Sequence, residues 1–381
     1  MLALTTKARL FVANVHNEAE TLCCGISSSE LYNHHGKLTH TAQSALRNHN
    51  GMAVKKVDIA SDGDVILICS IGDSNKQVSS YRLRVSAGSL STGSSVFKAM
   101  LGPRFKEGRQ LASSVTAIEI PLPDDDPEAM IMLCRALHLQ FVAMPDVLTP
   151  AALLALSVVA DKYDCTGTLR FASEIWIKNA MHTTVPLDMV NLLTAAYLFQ
   201  QAKVFGAVCR DALLMSEGDV KPSAGDHPTA IDLCIDHFNT VKHRIEQELV
   251  VFIENDIVTR LDSKTSGCSY SCVYKISQLS ELQQRLNKAL VWPVSHRLYQ
   301  QTAISLERLL ANLGSLDTSP GKVRPCGPKC CHRTASYLSF ESTQILYNTK
   351  AREIMQSIPQ VCYRCVREEG KVVSGGCSHP A

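Results

Sequence analysis

The sequence lacks a basic block, a long apolar run and a secretion signal, and each absence excludes a class of protein. Its 38 Lys and Arg are balanced by 36 Asp and Glu without a basic cluster, so direct nucleic-acid binding is not expected. The longest apolar run, at 151–160, is about half of the roughly 20 residues that cross a bilayer. We therefore expect neither nucleic acid nor a membrane as a partner.

The amino terminus lacks the apolar segment of a secretory signal, because Lys7 and Arg9 interrupt it. We therefore expect an intracellular protein, cytoplasmic or nuclear, in a reducing compartment. In such a compartment the 15 cysteines are predicted to be small buried hydrophobes or metal ligands and not a disulfide framework.

Short motifs of common enzyme sites are also missing. The sequence contains no G-x-x-x-x-G-K-[ST] phosphate loop, no G-x-G-x-x-G, no G-x-S-x-G and no H-E-x-x-H. We therefore predict a protein that is not an enzyme.

The most acidic stretch, IEIPLPDDDPEAMIML at 118–133, is predicted to start a helix and not to bind a metal. Asp126 stands where an N-cap belongs, and Pro127 suits the first helical position. Apolar residues then recur at helical spacing, at Met130, Leu133, Cys134 and Leu137. Thr149 and Pro150 predict a second capped helix in the same way.

Apolar patterning predicts an α+β fold, a small mixed sheet with a helical cluster, followed by a mainly α-helical region. Strand patterns occur at 64–71, 81–85 and 118–122. The predicted units are a partly ordered tail at 1–55, an α+β unit at 56–178, a helical extension at 179–215, a linker or long loop at 216–230, and a helical cysteine-rich region at 231–381.

Four linked motifs within 56–178 resemble the BTB/POZ domain in the form common among filamentous fungi. They are an Asp-Val pair that opens the first strand, a Ser-rich turn into V-F-K-A-M, a G-P-x-F-x-E-G loop, and a run that ends the core helix; they lie at 64–65, 96–100, 102–108 and 160–165. The resemblance implies a small, mostly antiparallel sheet covered by helices, which serves as a dimerisation and protein-binding module without catalysis.

The resemblance implies that the partners are proteins, and self-association is the leading expectation. An alternative is a substrate adaptor that holds a cullin scaffold of a ubiquitin ligase. Where many animal members have Phe-x-x-His, this chain has Leu83-Arg84-Val85-Ser86. The candidate contact residues are Asp64, Arg82, Arg84, Phe105, Lys106 and Glu107. The alternative for each of them is an ordinary solvated strand or loop position.

Eight of the 15 cysteines lie between 268 and 377. The candidate ligands of a structural zinc ion are Cys326, Cys330, Cys331, His332, Cys362 and Cys365. A zinc-stabilised protein is one interpretation, a thiol-redox protein that uses the Cys362–Cys365 pair is another, and unpaired intracellular thiols are a third. Cys377 and His379 form a further short Cys-x-His group in the tail.

Overall fold

The computed structural model describes residues 53–72, 78–181, 185–221, 228–261, 273–294, 297, 304–322, 337–372, 377 and 379. These residues form a mixed α+β fold that is rich in helices. Its main sheet has four strands in the order β1-β3-β2-β4; they are β1 (Ala53–Asp58), β2 (Val65–Gly72), β3 (Val78–Val85) and β4 (Ile118–Leu122).

The sheet is mixed because only β2 and β3 form a hairpin. These two strands are antiparallel, whereas β1 lies parallel to β3 and β4 lies parallel to β2. The expectation of a mostly antiparallel sheet was therefore wrong. The reason is that β1 and β4 are joined to their neighbours by crossovers and not by tight turns, and a crossover makes paired strands parallel.

Alternation along the strands gives the sheet a buried face and an outer face. Side chains on the buried face are at most 5% exposed; they include Val65, Leu67, Cys69, Leu83, Val85, Ile118 and Ile120. The alternate positions form the outer face, which carries Ile66, Ile68, Arg82, Arg84 and Glu119. The two isoleucines remain half-exposed there.

Helices follow β3 and β4 within this unit. They are α1 (Ala87–Gly93), α2 (Ser95–Met100), α3 (Lys106–Ser113), α4 (Pro127–Leu137), α5 (Pro150–Lys162) and α6 (Arg170–Ala180). Both predicted caps are confirmed, because Asp126 accepts a hydrogen bond from the Ala129 N–H at 2.7 Å and Thr149 accepts one from the Ala152 N–H at 3.2 Å. Helix α4 contacts β2 and β3.

Helix α3 corrects one prediction. Lys106 and Glu107, which were expected in a loop, form its first turn. Glu107 is suited to the positive end of a helix. Gly108, which has no side chain, allows the turn to lie directly against the backbone of Gly102. A side chain at that position would collide with the backbone, so the turn depends on this glycine.

The described part of the remainder is helical, as predicted, apart from one short two-stranded ribbon. Its helices are α7 (Pro186–Leu198), α8 (Ala202–Met215), α9 (Thr229–Leu261), α10 (Val273–Lys288), α11 (Leu306–Gly314), α12 (Glu341–Ser357) and α13 (Tyr363–Glu369). The ribbon pairs β5 (Gly321–Lys322) with β6 (Tyr337–Leu338). No helix among the described residues has the length and apolar character needed to cross a bilayer.

One contiguous hydrophobic core joins the α+β unit to the later helices. Helix α7 packs against α5 and α8, and α8 contacts α9, α11 and α13. Within the predicted linker, Ser216 and Val220 are buried, and Lys242 of α9 donates a 2.9 Å hydrogen bond to the Ser216 carbonyl. The described part of this segment is therefore packed against α9.

The first strand was not predicted. Strand β1 begins at Ala53, inside the segment expected to be a tail, and the residues before it lie outside the described part of the chain.

The burial of Asp125 was not predicted either. Asp125 is buried between α4 and α5, where its carboxylate accepts hydrogen bonds from both Lys162 and Tyr163. The acidic stretch thus contributes a buried anchor as well as a helix cap.

Candidate functional site

The two arginines predicted to contact partners lie on the outer face of the sheet. Arg82 forms an ion pair with Glu119 on β4. The hydrogen bond from its guanidinium lowers the pKa of Glu119. Arg84 donates from Nε to the Gly63 carbonyl at 3.0 Å. Both side chains are half-buried and are held by partners within the chain.

The other predicted contact residues lie beside the first turns of α1 and α3. Asp64 accepts a hydrogen bond from the Ala87 N–H at 2.8 Å, so its carboxylate holds the first turn of α1 against the start of β2. Phe105 precedes α3 and is 49% exposed. Lys106 is exposed and Glu107 is half-buried in the first turn of α3. Of these residues, Phe105 offers the largest accessible apolar surface.

The strongest chemical constellation lies at the carboxy-terminal end, where three thiols and one imidazole meet. Cys362 precedes α13, Cys365 is buried in its first turn, and Cys377 and His379 come from the tail. One ligand atom from each residue lies within 4.8 Å of every other. We call these four residues the Cys3His cluster.

Distances within the Cys3His cluster match those of a tetrahedral zinc site. With Zn–S of about 2.3 Å and Zn–N of about 2.0 Å, the sulfur-to-nitrogen edge of a tetrahedron is roughly 3.5 Å. His379 Nδ1 lies 3.4 Å from Cys365 Sγ and 3.8 Å from Cys362 Sγ. All three cysteines are free thiols, so each can supply a thiolate.

Neighbouring groups ease the ionisation of the Cys362 thiol. Burial raises the pKa of Cys362, but the Cys365 N–H and hydrogen bonds from Cys377, Cys365 and His379 outweigh it and lower the pKa to about 7. Burial, together with the bond to Cys362 and its negative charge, raises the pKa of Cys365 to about 12. One thiolate therefore forms easily, whereas a second requires a compensating positive charge.

The imidazole of His379 has a carboxylate on its other side. Its Nδ1 faces the thiols, and its Nε2 lies 3.9 Å from Glu369 Oε1. A carboxylate behind a metal-binding histidine fixes the ring orientation and raises its basicity. Glu369 also binds Lys371 at 2.6 Å, which holds the carboxylate near the last turn of α13.

An aromatic cluster fixes α13 on the rest of the fold. The Tyr363 ring lies 5.9 Å from that of Tyr197 on α7 and 5.4 Å from that of Phe205 on α8. Arg367 stacks over both tyrosines and donates a hydrogen bond to the Tyr197 carbonyl. The Cys-x-x-Cys pair is thus attached to the helices that follow the α+β unit.

The structure assembles only part of the predicted ligand set. Cys362 and Cys365 are brought together, and both belong to the Cys3His cluster. The other predicted ligands, Cys326, Cys330, Cys331 and His332, lie outside the described residues. The two residues that complete the cluster, Cys377 and His379, were visible in the sequence as a Cys-x-His group twelve residues after Cys365. Their proximity to the Cys-x-x-Cys pair was the available signal.

Five other cysteines are part of the core, as predicted. Cys69, Cys134, Cys165, Cys209 and Cys234 are all buried free thiols. Burial is the first cause that raises the pKa of Cys69, Cys134, Cys165 and Cys209. The four thiols with raised pKa values stay protonated, and all five cysteines act as small hydrophobic side chains.

The chain matches no protein-family model and no curated protein.

Proposed function

We propose that this is a non-catalytic protein-interaction protein, whose amino-terminal α+β unit associates with itself or with a protein partner as BTB/POZ-like domains do. The order of elements supports the proposal: a β2–β3 hairpin, three short helices, β4, and then α4, α5 and α6. This order agrees with the one that the sequence motifs imply. The unit spans residues 53–178 when β1 is included.

The outer face of the sheet supports association through side chains. It places the half-exposed Ile66 and Ile68 directly opposite Arg84 and Arg82. Exposed aliphatic groups beside arginine are typical of protein-binding surfaces. Because Arg82 and Arg84 already have partners within the chain, the isoleucines would supply most of the binding energy at this face.

A second accessible apolar surface lies on α6. Phe171 and Ile175 are four residues apart, so they share one face of the helix, and they are 78% and 58% exposed. Large exposed apolar side chains that are adjacent on a surface mark interaction sites more often than isolated ones.

The edges of the sheet are less suited to pairing with another chain. Edge strand β1 carries Lys55 and Lys56, and edge strand β4 contains Pro121, which lacks an N–H. Lysine and proline at edges both oppose strand addition. The proposed association therefore uses the faces of the unit and not its strand edges.

The test is the mass of the full chain in solution. Light scattering coupled to size exclusion is expected to give twice the chain mass of 41.7 kDa. Substitution Ile68→Glu or Phe171→Glu should lower the dimer affinity at least about tenfold, because a buried unpaired carboxylate costs more than about 1.4 kcal/mol. The control is Val115→Glu at a fully exposed loop position, which should leave the affinity unchanged.

A monomeric mass at every concentration would refute self-association. Affinity purification of the same variants then tests the partner-binding form of the proposal. Recovery of a cullin scaffold by the wild type, with loss in Ile68→Glu or Phe171→Glu but not in Val115→Glu, would support the ubiquitin-ligase adaptor. The proposed interaction role is wrong if the wild type does not self-associate and if Ile68→Glu and Phe171→Glu retain every protein that the wild type co-purifies.

A further inference from the structure

We propose that Cys362, Cys365, Cys377 and His379 bind one zinc ion, which ties the carboxy-terminal tail to α13 and so to the helices that follow the α+β unit. This proposal does not depend on the interaction role, because it rests on different residues. It also replaces the ligand set predicted from the sequence, which paired Cys362 and Cys365 with the segment 326–332.

The donor set selects the metal. Three thiolates and one imidazole are soft and borderline ligands, and Cys3His is a common structural zinc site. Iron–sulfur clusters are usually held by four cysteines, or by two cysteines and two histidines. Ca²⁺ and Mg²⁺ require oxygen ligands. The Cys3His cluster offers neither of those sets, so zinc fits it best.

The number of ligands indicates a structural role. Catalytic zinc sites have three protein ligands and keep one position open for water or substrate. The Cys3His cluster supplies four ligand atoms, and Cys365 is buried. A metal held by all four has no open position, so the site is expected to stabilise structure and not to catalyse a reaction.

The local fold explains why a metal is needed at this end of the chain. Helix α13 has seven residues, which is well below the roughly 12–15 that an isolated helix needs to be even marginally stable. The aromatic contacts of Tyr363 hold one side of the helix. Among the described contacts, Cys377 is held only by weak bonds of its thiol, to the His379 carbonyl at 3.8 Å and to the thiols of Cys362 and Cys365. Zinc would replace these weak contacts by four coordinate bonds.

The group behind the imidazole supports the same conclusion. Glu369 faces His379 from behind and is placed to orient the ring toward the ion.

The experiment measures zinc on the purified full chain and compares two matched sets of variants. The first set is Cys377→Ser with His379→Ala; the second is Cys326→Ser, Cys330→Ser and Cys331→Ser with His332→Ala. We expect about one equivalent of zinc on the wild type and on the second set, and below about a tenth of an equivalent on the first.

A second measurement on the wild type does not depend on how the variants fold. Cysteines are alkylated with and without a zinc chelator, and each site is quantified by peptide mass spectrometry. Cys362, Cys365 and Cys377 should be protected until the chelator is added, and protection should return with zinc. The proposal is overturned by zinc that follows the 326–332 set, by a wild type without zinc, or by a Cys362–Cys365 disulfide in place of the metal.

Discussion

The Tyr163 hydroxyl donates a 2.6 Å hydrogen bond to the carboxylate of Asp125, 38 residues earlier in the chain. The second carboxylate oxygen accepts a bond from Lys162 Nζ, also at 2.6 Å. Asp125 is 4% exposed, whereas the Lys162 side chain is about half-exposed. Burial, together with Asp125, raises the pKa of Tyr163, so the hydroxyl stays protonated and available as a donor.

Three consecutive aspartates therefore have three different energetic roles. Asp125→Ala should lower the free energy of unfolding by about 2–3 kcal/mol, because it leaves the buried Tyr163 hydroxyl without an acceptor. Asp126→Ala should cost about 1 kcal/mol through loss of the α4 cap. Asp124→Ala, at an exposed position, should change stability by less than about 0.5 kcal/mol.

Urea unfolding of these three variants is the measurement. Tyr163→Phe provides the reciprocal test, since it removes one donor but leaves the Lys162 pair intact, and it should cost about 1 kcal/mol. Equal effects at positions 124 and 125 would contradict the assigned anchor.

The sequence was sufficient where local chemistry decides the structure. Asp126 and Thr149 were identified as caps because an N-cap depends on residues within one turn. The hairpin of β2 and β3 followed from the alternation of apolar and polar residues and from the turn residues between them. The coarse fold class, an α+β unit followed by helices, could be predicted for the same reason.

Features that depend on distant contacts were missed. Strand β1 has two adjacent lysines and is stabilised by pairing with β3, so its own sequence carries a weak strand pattern. Asp125 could not be separated from Asp124 and Asp126 because its partners lie on α5. The pairing of Cys362 and Cys365 with Cys377 and His379 depends on how the tail folds back, which spacing alone does not determine.

The second prediction concerns the first turn of α3. A Cβ atom at Gly108 would lie 1.9 Å from the Gly102 carbonyl oxygen, which is backbone and cannot turn aside. Gly108→Ala should therefore destabilise the protein by about 2 kcal/mol or more. At Gly167 an added Cβ meets nothing within 4 Å.

Gly167→Ala is the matched control and should be neutral, or stabilising by up to about 1 kcal/mol, because alanine restricts the unfolded chain. Thermal unfolding of both variants decides the matter. A Gly108→Ala protein as stable as Gly167→Ala would show that the G-P-x-F-x-E-G turn is not packed as described.

The third prediction concerns Lys242, a lysine that is 1% exposed. Its ammonium donates to the Ser216 carbonyl at 2.9 Å and, at 2.5 Å each, to the Ser216 hydroxyl and the Gly218 carbonyl. Lys242→Met should cost about 1–3 kcal/mol, because these buried acceptors lose their donor. The control is Arg244→Met, which lies two residues further along α9 at an exposed position. It should have little effect in the same urea titration.

The fourth prediction is the pH dependence of that same group. Burial lowers the pKa of Lys242 from 10.5 to about 8, although Asp219 opposes the shift. Between these two values the unfolded chain binds more protons than the folded chain, so the contribution of Lys242 to stability rises with pH. The stability difference between wild type and Lys242→Met should increase by about 1 kcal/mol from pH 7 to pH 9.

Comparison with Lys242→Met is necessary because the buried thiols act in the opposite direction. Cys69 and Cys165 have pKa values raised by burial from 9.0 to about 12 and about 11. The unfolded chain loses those protons first, so overall stability should fall above about pH 9. The two proteins share this loss, and only their difference reports Lys242. A difference that is constant with pH would contradict the shifted pKa.

The last prediction concerns Glu369, which lies behind His379 in the proposed zinc site. Glu369→Gln keeps the size of the side chain but removes the charge that faces Nε2 at 3.9 Å. Loss of such a carboxylate typically weakens metal binding 10–100-fold, and at this separation we expect the lower end, about tenfold.

The control is Glu368→Gln, at the neighbouring exposed position. Competition with a chromogenic chelator gives the zinc affinity, and thermal unfolding of the metal-free proteins should not distinguish the two variants. If Glu369→Gln lowers the stability of the metal-free protein but leaves zinc affinity unchanged, the carboxylate acts through its 2.6 Å ion pair with Lys371 and not through the histidine.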